Sequence, residues 1–239
     1  MDSFWDKVLP ADYYDRVLNN GLAKNRGIQS NWHNITFLKV KSRMNLEGRH
    51  LDFACGPGTF IGSYLSLDSI GVDISENQID FAVNNYSSKG KFYKLDNFNF
   101  DDFQNKFDVV TVIGLLEYLD EKEFDSLMIK LYSITKKGGK ILLTTPNYKS
   151  FMFYLEKIAN IVSTVNYTAT HKTRYNYKLL HKRFNNLPFG EFEIIKFLNL
   201  GIFFSIFSLD IGKAVTSLIE KIFQNKIGYL FLVELKKND

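Results

Sequence analysis

Between residues 49 and 147 the chain alternates short apolar runs with stretches of helical periodicity. The runs fall at 50–53, 69–72, 91–95, 107–113 and 140–144, and their near-continuous apolar character suits strands of a buried parallel sheet. Helical stretches separate them at 59–65, 76–86 and 121–135. Ser75, with Gln78 three residues on, has the spacing of a capping box, and Lys136-Lys137-Gly138-Gly139 predicts the end of the third helix. This βαβ series predicts an α/β, Rossmann-like, doubly wound sheet. Ahead of it, residues 12–18 read as a helix closed by Gly21. A second helix begins at Asn31, with Trp32, Ile35, Phe37 and Leu38 on one face. Such a leader would either cover a ligand pocket or simply pack on the sheet.

Beyond Pro146 the alternation loosens. Residues 151–162 read as an apolar helix, 192–198 and 228–235 as strands, and 213–224 as an amphipathic helix with Val215, Leu218, Ile219, Ile222 and Phe223 in phase. Lys157 and Gly190 bracket a stretch without a single acidic residue, and its 166–184 portion mixes lysines and arginines with Tyr167, Tyr175 and Tyr177. No repeat, low-complexity tract or proline-rich linker marks a second independent domain.

Composition adds bounds. The 239 residues are 45% hydrophobic, ordinary for a folded protein. The 22 phenylalanines and 13 tyrosines fit a compositional bias better than a dedicated aromatic pocket. One cysteine, Cys55, allows neither an internal disulfide nor a cysteine-based zinc site, which predicts a cytoplasmic protein. The start of the chain lacks the features of a signal peptide. The apolar run 197–209 is shorter than the roughly 20 residues a spanning helix needs. A net charge of +4 permits an anionic partner and demands none.

The chemistry concentrates in Leu51-Asp52-Phe53-Ala54-Cys55-Gly56-Pro57-Gly58. Gly56 and Gly58 allow a tight turn over which a ligand lies, but Asp52 would repel a dinucleotide pyrophosphate. It would welcome a cation. S-adenosylmethionine (SAM), with an ammonium, a sulfonium and no phosphate, fits this better than NAD. Asp73, followed by Ile74, stands at the end of the second strand and can accept from ribose hydroxyls. Asp96, Asn97 and Phe98 follow the third strand, where Asp96 can accept from an adenine amino group and Phe98 can lie on the ring. Ile113 and Gly114 end the fourth and leave room for the reacting end of the ligand.

These segments resemble, in order and spacing over residues 46–147, the motifs of the class I SAM-dependent methyltransferases, nearest to the small-molecule branch that includes ubiquinone-type and glycan-modifying enzymes. The resemblance implies a seven-stranded, mostly parallel sheet with an antiparallel last strand, 192–198 and 228–235 supplying strands six and seven. It implies a helical cap at 1–46 and a SAM-binding domain at 47–239 with a substrate-side insertion at about 148–190. It implies SAM as cofactor, held by Asp52, Ala54, Gly56, Gly58, Asp73, Ile74, Asp96, Asn97, Phe98, Ile113 and Gly114, and S-adenosylhomocysteine as product. Two positions depart from the pattern: Ala54 replaces a usual glycine, and Tyr118 stands where histidine often follows glutamate.

Methyl transfer needs alignment above all, and an oxygen acceptor also needs a base. No metal site is expected, since carboxylates and histidines nowhere take ligand spacing. His50 begins a strand and reads as structural, and His181 as exposed. His33 and His171 are the candidate catalytic residues. Thr170-His171-Lys172-Thr173-Arg174-Tyr175 resembles a stretch of that branch, implying Arg174 and Tyr175, with Trp32 and Tyr118, on the substrate. The expected activity is O-methylation of a small molecule by a monomer or homodimer. RNA or protein methylation and a non-catalytic SAM-binding protein are the alternatives. The basic segment 166–184 would bind an anionic group on the acceptor, form a solvated face, or contact nucleic acid, the last being disfavoured. The pair 197–209 and 213–224 fits core packing or a dimer contact better than a membrane surface.

Overall fold

The computed structural model describes residues 9–66, 68–151 and 171–238. The expected helix at 151–162 and the basic stretch up to residue 170 lie outside these, apart from Phe151. Seven strands form one sheet: β1 (Arg49–Phe53), β2 (Asp68–Asp73), β3 (Lys91–Lys94), β4 (Phe107–Ile113), β5 (Thr135–Pro146), β6 (Phe192–Phe197) and β7 (Leu230–Lys236). Their order is β3-β2-β1-β4-β5-β7-β6. β7 runs antiparallel to both neighbours and the other pairings are parallel. This is the Rossmann-like methyltransferase fold that the resemblance implies.

The register decides where chemistry can occur. Phe53 lies level with Val72 and Val112, Asp73 with Lys94, and Ile113 with Thr144. The loops after β1, β2, β3 and β4 therefore leave one edge of the sheet side by side, as in the open sheets that bind ligands at their carboxyl ends. Fully buried Leu51, Val72, Val110, Val112, Ile141 and Leu143 fill the middle of the sheet, which matches their continuous apolar runs.

The helices are α1 (Tyr13–Lys24), α2 (Ile28–Lys41), α3 (Thr59–Tyr64), α4 (Glu76–Tyr86), α5 (Glu121–Ile134), α6 (Tyr177–Asn185) and α7 (Leu209–Ile222). Ser75 caps α4, accepting from the Gln78 amide at 3.3 Å. Asp120 and Glu123 form a reciprocal capping box on α5.

Glycine misleads at two helix ends. α1 runs through Gly21 and stops at Asn25, whose φ is +49°. Gly21 serves a close helix crossing instead, for a Cβ there would sit 2.1 Å from the Ser30 Cβ on α2. Gly138 and Gly139 belong to the start of β5, after a register shift against β4, rather than to a helix terminus. Leu38 on α2 is exposed, contrary to the expected face, while Trp32 and Phe37 pack inward.

Ala54 has φ +60°, in the left-handed region where a Cβ costs about 1–2 kcal/mol. Its usual replacement, glycine, would relieve that strain and lose about 0.4–1 kcal/mol to unfolded-state freedom. Ala54→Gly is expected to raise stability by about 0.5–1 kcal/mol. A urea titration that shows no gain would remove the strain argument.

Candidate functional site

One cavity of about 1380 Å³ opens at the carboxyl edge of the sheet. Asp52, Ala54 and Gly56 come to it from the β1 turn, Asp73 and Ile74 from β2, and Ile113 and Gly114 from β4. Tyr118 and His171 line its other side, and the leader closes it with Tyr14, Trp32 and His33. Gly56 has φ +54°, and its amide donates to the Asp73 carboxylate at 2.8 Å, so the turn is folded onto the acid of the next strand. The Ser75 amide donates to the other Asp73 oxygen at 2.9 Å.

Asp52 is almost fully buried. Loss of hydration pushes its pKa up to about 7, and the Asp73 charge adds to the effect. The Thr111 hydroxyl donates to it at 2.6 Å and opposes the rise. Because Thr111 spends its proton on Asp52, the His50 Nε2 at 2.7 Å donates to the Thr111 oxygen, and His50 Nδ1 meets the Ser69 hydroxyl at 3.1 Å. Burial lowers His50 to about 3, so it stays neutral. His50 is thus the buried end of a chain that orients Asp52, a link its position on the strand did not disclose.

The leader is fastened to this edge. Asp15 accepts from the hydroxyls of Thr59, the first residue of α3, at 2.9 Å and Tyr86 at 2.5 Å. His33, on α2, meets Tyr14 edge-on at 5.5 Å, and burial lowers its pKa to about 4. Trp32 stacks on Tyr229 at 6.3 Å.

On the far side Tyr118 meets the His171 ring edge-on at 4.9 Å, and His171 Nδ1 is 2.8 Å from the Tyr148 hydroxyl. Glu117 is buried beneath them, accepting from Thr145 at 3.0 Å, while its carbonyl takes the Lys172 and Thr173 amides.

A sheet of this strand order with a cavity at this edge is shared by many proteins, and the match that decides among them is with the methyltransferase-domain family, over residues 23–198. The chain belongs to the class I SAM-dependent methyltransferases. Phosphoethanolamine N-methyltransferase 3 of Arabidopsis thaliana is 26% identical over 159 residues, covering 60% of this chain and 31% of that protein. The chain thus spans about a third of that relative. A SAM-dependent methyltransferase from Archaeoglobus fulgidus superposes with a TM-score of 0.56 at 20% identity, over 85% of this chain and 94% of that one. Phosphoethanolamine N-methyltransferase 2 of Haemonchus contortus, solved with S-adenosyl-L-methionine, gives 0.60 at 18% identity, over all of this chain and 60% of that one.

The residues present suit SAM, the methyltransferase cofactor. A buried carboxylate without a cation is costly, and an ammonium at Asp52 would relieve it. Asp73, a carboxylate at the end of β2, lines the same cavity. Other expected positions fall elsewhere. Asp96 leaves the short edge strand pointing outward, its side chain 77% exposed and paired with Lys94 at 3.6 Å, and Asn97 is exposed beside it. Phe98 turns into the core and stacks on Phe103 at 4.7 Å. Leu95 and Phe100 line the cavity in their place. Gly58, φ +74°, does not line it; a Cβ there would strike Phe92 and Ala82, so it serves packing of the turn.

Two substrate-side positions also differ from expectation. Residues 171–175 alternate, so that His171 faces the cavity, Arg174 is exposed over the Tyr148 ring at 5.8 Å, and Tyr175 is buried in the core. The basic segment spends part of its charge internally: Lys172 pairs with Glu123 at 2.6 Å and Arg183 with Glu121. Tyr13, Tyr14, Phe37, Glu117 and Phe203 line the cavity without having been singled out. For the leader tyrosines only their position ahead of the fold hinted at it.

Proposed function

We propose that this methyltransferase transfers its methyl group to a hydroxyl of a small molecule that enters beneath the leader helices, residues 1–46 acting as a cap. The observation that carries the reading is a cavity lined by Asp52 and Asp73 and also by His171 and Tyr118. SAM, when bound, supplies an electrophilic methyl for an in-line displacement. Asp52 takes the ammonium, Asp73 the ribose hydroxyls, and Ile74, Leu95 and Phe100 the base. Gly114 leaves space for the sulfonium end. Tyr118, Trp32 and the neutral His33 position the acceptor, and the apolar walls exclude water. His171, held at Nδ1 by the Tyr148 hydroxyl at 2.8 Å, is the imidazole that takes the acceptor's proton. A concave pocket lined largely by aromatic and apolar side chains suits a small acceptor better than a polymer.

Calorimetry with SAM and S-adenosylhomocysteine is expected to give binding that Asp73→Ala weakens about 100-fold, the scale of two hydrogen bonds to a charged group. No heat with either ligand would end the reading. A labelled-methyl assay over extract fractions is expected to mark metabolites, whereas label confined to RNA or protein would overturn the acceptor class.

A further inference from the structure

The exposed apolar side chains cluster after β6. Helix α7 buries Leu209, Gly212 and Thr216, with Gly212 against Ser205 and Thr216 against Gly201 of the turn of residues 200–206, and leaves a second stripe uncovered. Ile211, Leu218 and Ile222 recur at helical spacing with half-buried Val215 between them, and Phe204 and Phe207 extend the stripe backward. Phe207 is 76% exposed, Ile222 64% and Leu218 56%. Isolated exposed hydrophobes need no explanation, but a continuous apolar stripe rimmed by polar residues marks an interaction surface.

We propose that this face docks on an anionic lipid bilayer, holding the cavity mouth at the membrane surface so that an amphiphilic, membrane-borne acceptor can enter. The acceptor part rests on the function proposed above; the docking does not.

Charge selects the occupant. The exposed charges of residues 209–227 are Lys213, Lys221 and Lys226 against Asp210 alone. Glu220 is turned inward, accepting from Lys39 at 2.9 Å and from the Leu198 amide at 2.9 Å. A two-fold contact between copies would set these lysines, a net positive patch, against the same patch of the partner copy. An anionic headgroup layer attracts them, while Phe, Leu and Ile enter the acyl boundary, the division of labour of an interfacial amphipathic helix.

Position supplies the link to the site. Ile202 and Phe203 line the cavity, and the next residues in the chain, Phe204, Ile206 and Phe207, face outward. The face is also bolted to the cap: Asn31 of α2 donates to Ser205 at 2.7 Å and to the Leu209 carbonyl at 2.9 Å, and the Leu209 amide reaches the Asn25 carbonyl at 2.9 Å. The 200–206 turn thus sets exposed apolar side chains directly beside residues that line the cavity.

Flotation of the full chain with vesicles of phosphatidylcholine containing roughly a third phosphatidylglycerol tests it. The wild type is expected to float, at least about tenfold less with pure phosphatidylcholine, and Phe207→Ser with Leu218→Ser is expected to lose about tenfold or more on the anionic vesicles. Both substitutions make an exposed surface more polar, and SAM titration of the variant reports folding and the cofactor site independently. No flotation of the wild type overturns the proposal. So does flotation that the two substitutions leave unchanged, or sedimentation showing a dimer that they dissociate.

Discussion

Replacing Asp52 by asparagine is expected to abolish SAM binding at neutral pH while making the ligand-free protein more stable. The two effects have one cause. The carboxyl is buried, and its pKa rises from the usual 3.8 to about 7 because ionisation there forfeits hydration. The unfolded chain releases this proton near 3.8 and the native chain holds it to about 7, so the native state binds more protons within that window. Stability from this group therefore falls as pH rises from about 4 to 7, and the full cost, on the order of 4 kcal/mol, is in place above it. Asparagine keeps the Thr111 hydrogen bond and removes the charge. A gain of about 2 kcal/mol at pH 8, roughly 4–8 °C in Tm, is expected, shrinking toward pH 4. An ammonium needs the carboxylate, so wild-type SAM affinity should fall as pH drops below about 7, by up to about tenfold per unit. Calorimetry from pH 5.5 to 8.5 checks this. Flat wild-type affinity across that range, or a destabilised asparagine variant, would refute the linkage.

That trade was half visible in the sequence. Asp52 and Asp73 reach the cavity because parallel register fixes where strands end, and apolar runs locate those ends. Asp96 follows the same rule and fails, since β3 is a four-residue edge strand and the chain beyond it is steered by aromatic packing. Phe98 goes to Phe103, and Phe100, two residues on, takes the cavity position. The His50–Thr111–Asp52 chain joins residues 61 apart in sequence, and no local pattern carries it. Gly21 shows that a glycine after apolar periodicity marks either a helix end or a helix crossing, and only the partner Ser30 distinguishes them. α7 shows the converse: its periodicity was plain, but its buried stripe holds Gly212 and Thr216, small enough for close approach to Ser205 and Gly201, and most of the larger hydrophobes stay outside.

His171→Ala is expected to lower kcat by about 10²–10⁴-fold, the range for loss of a positioned base, while SAM affinity stays within about twofold. The separation follows from the contacts, for His171 meets Tyr118 and Tyr148, whereas Asp52 is hydrogen-bonded to Thr111 and Asp73 to the Gly56 and Ser75 amides. Tyr148→Phe tests how the imidazole is held. Without the hydroxyl, Nδ1 loses its partner at 2.8 Å, the imidazole is less firmly oriented, and a loss of about tenfold in kcat is expected. For an acceptor that arrives with an unprotonated lone pair, such as an aromatic amine, His171→Ala should leave kcat nearly intact. Comparing kcat of the two proteins on the acceptor found by labelling therefore separates an acceptor that must lose a proton from one that need not. An unchanged alanine variant would remove His171 from the chemistry and, with it, the case for a hydroxyl.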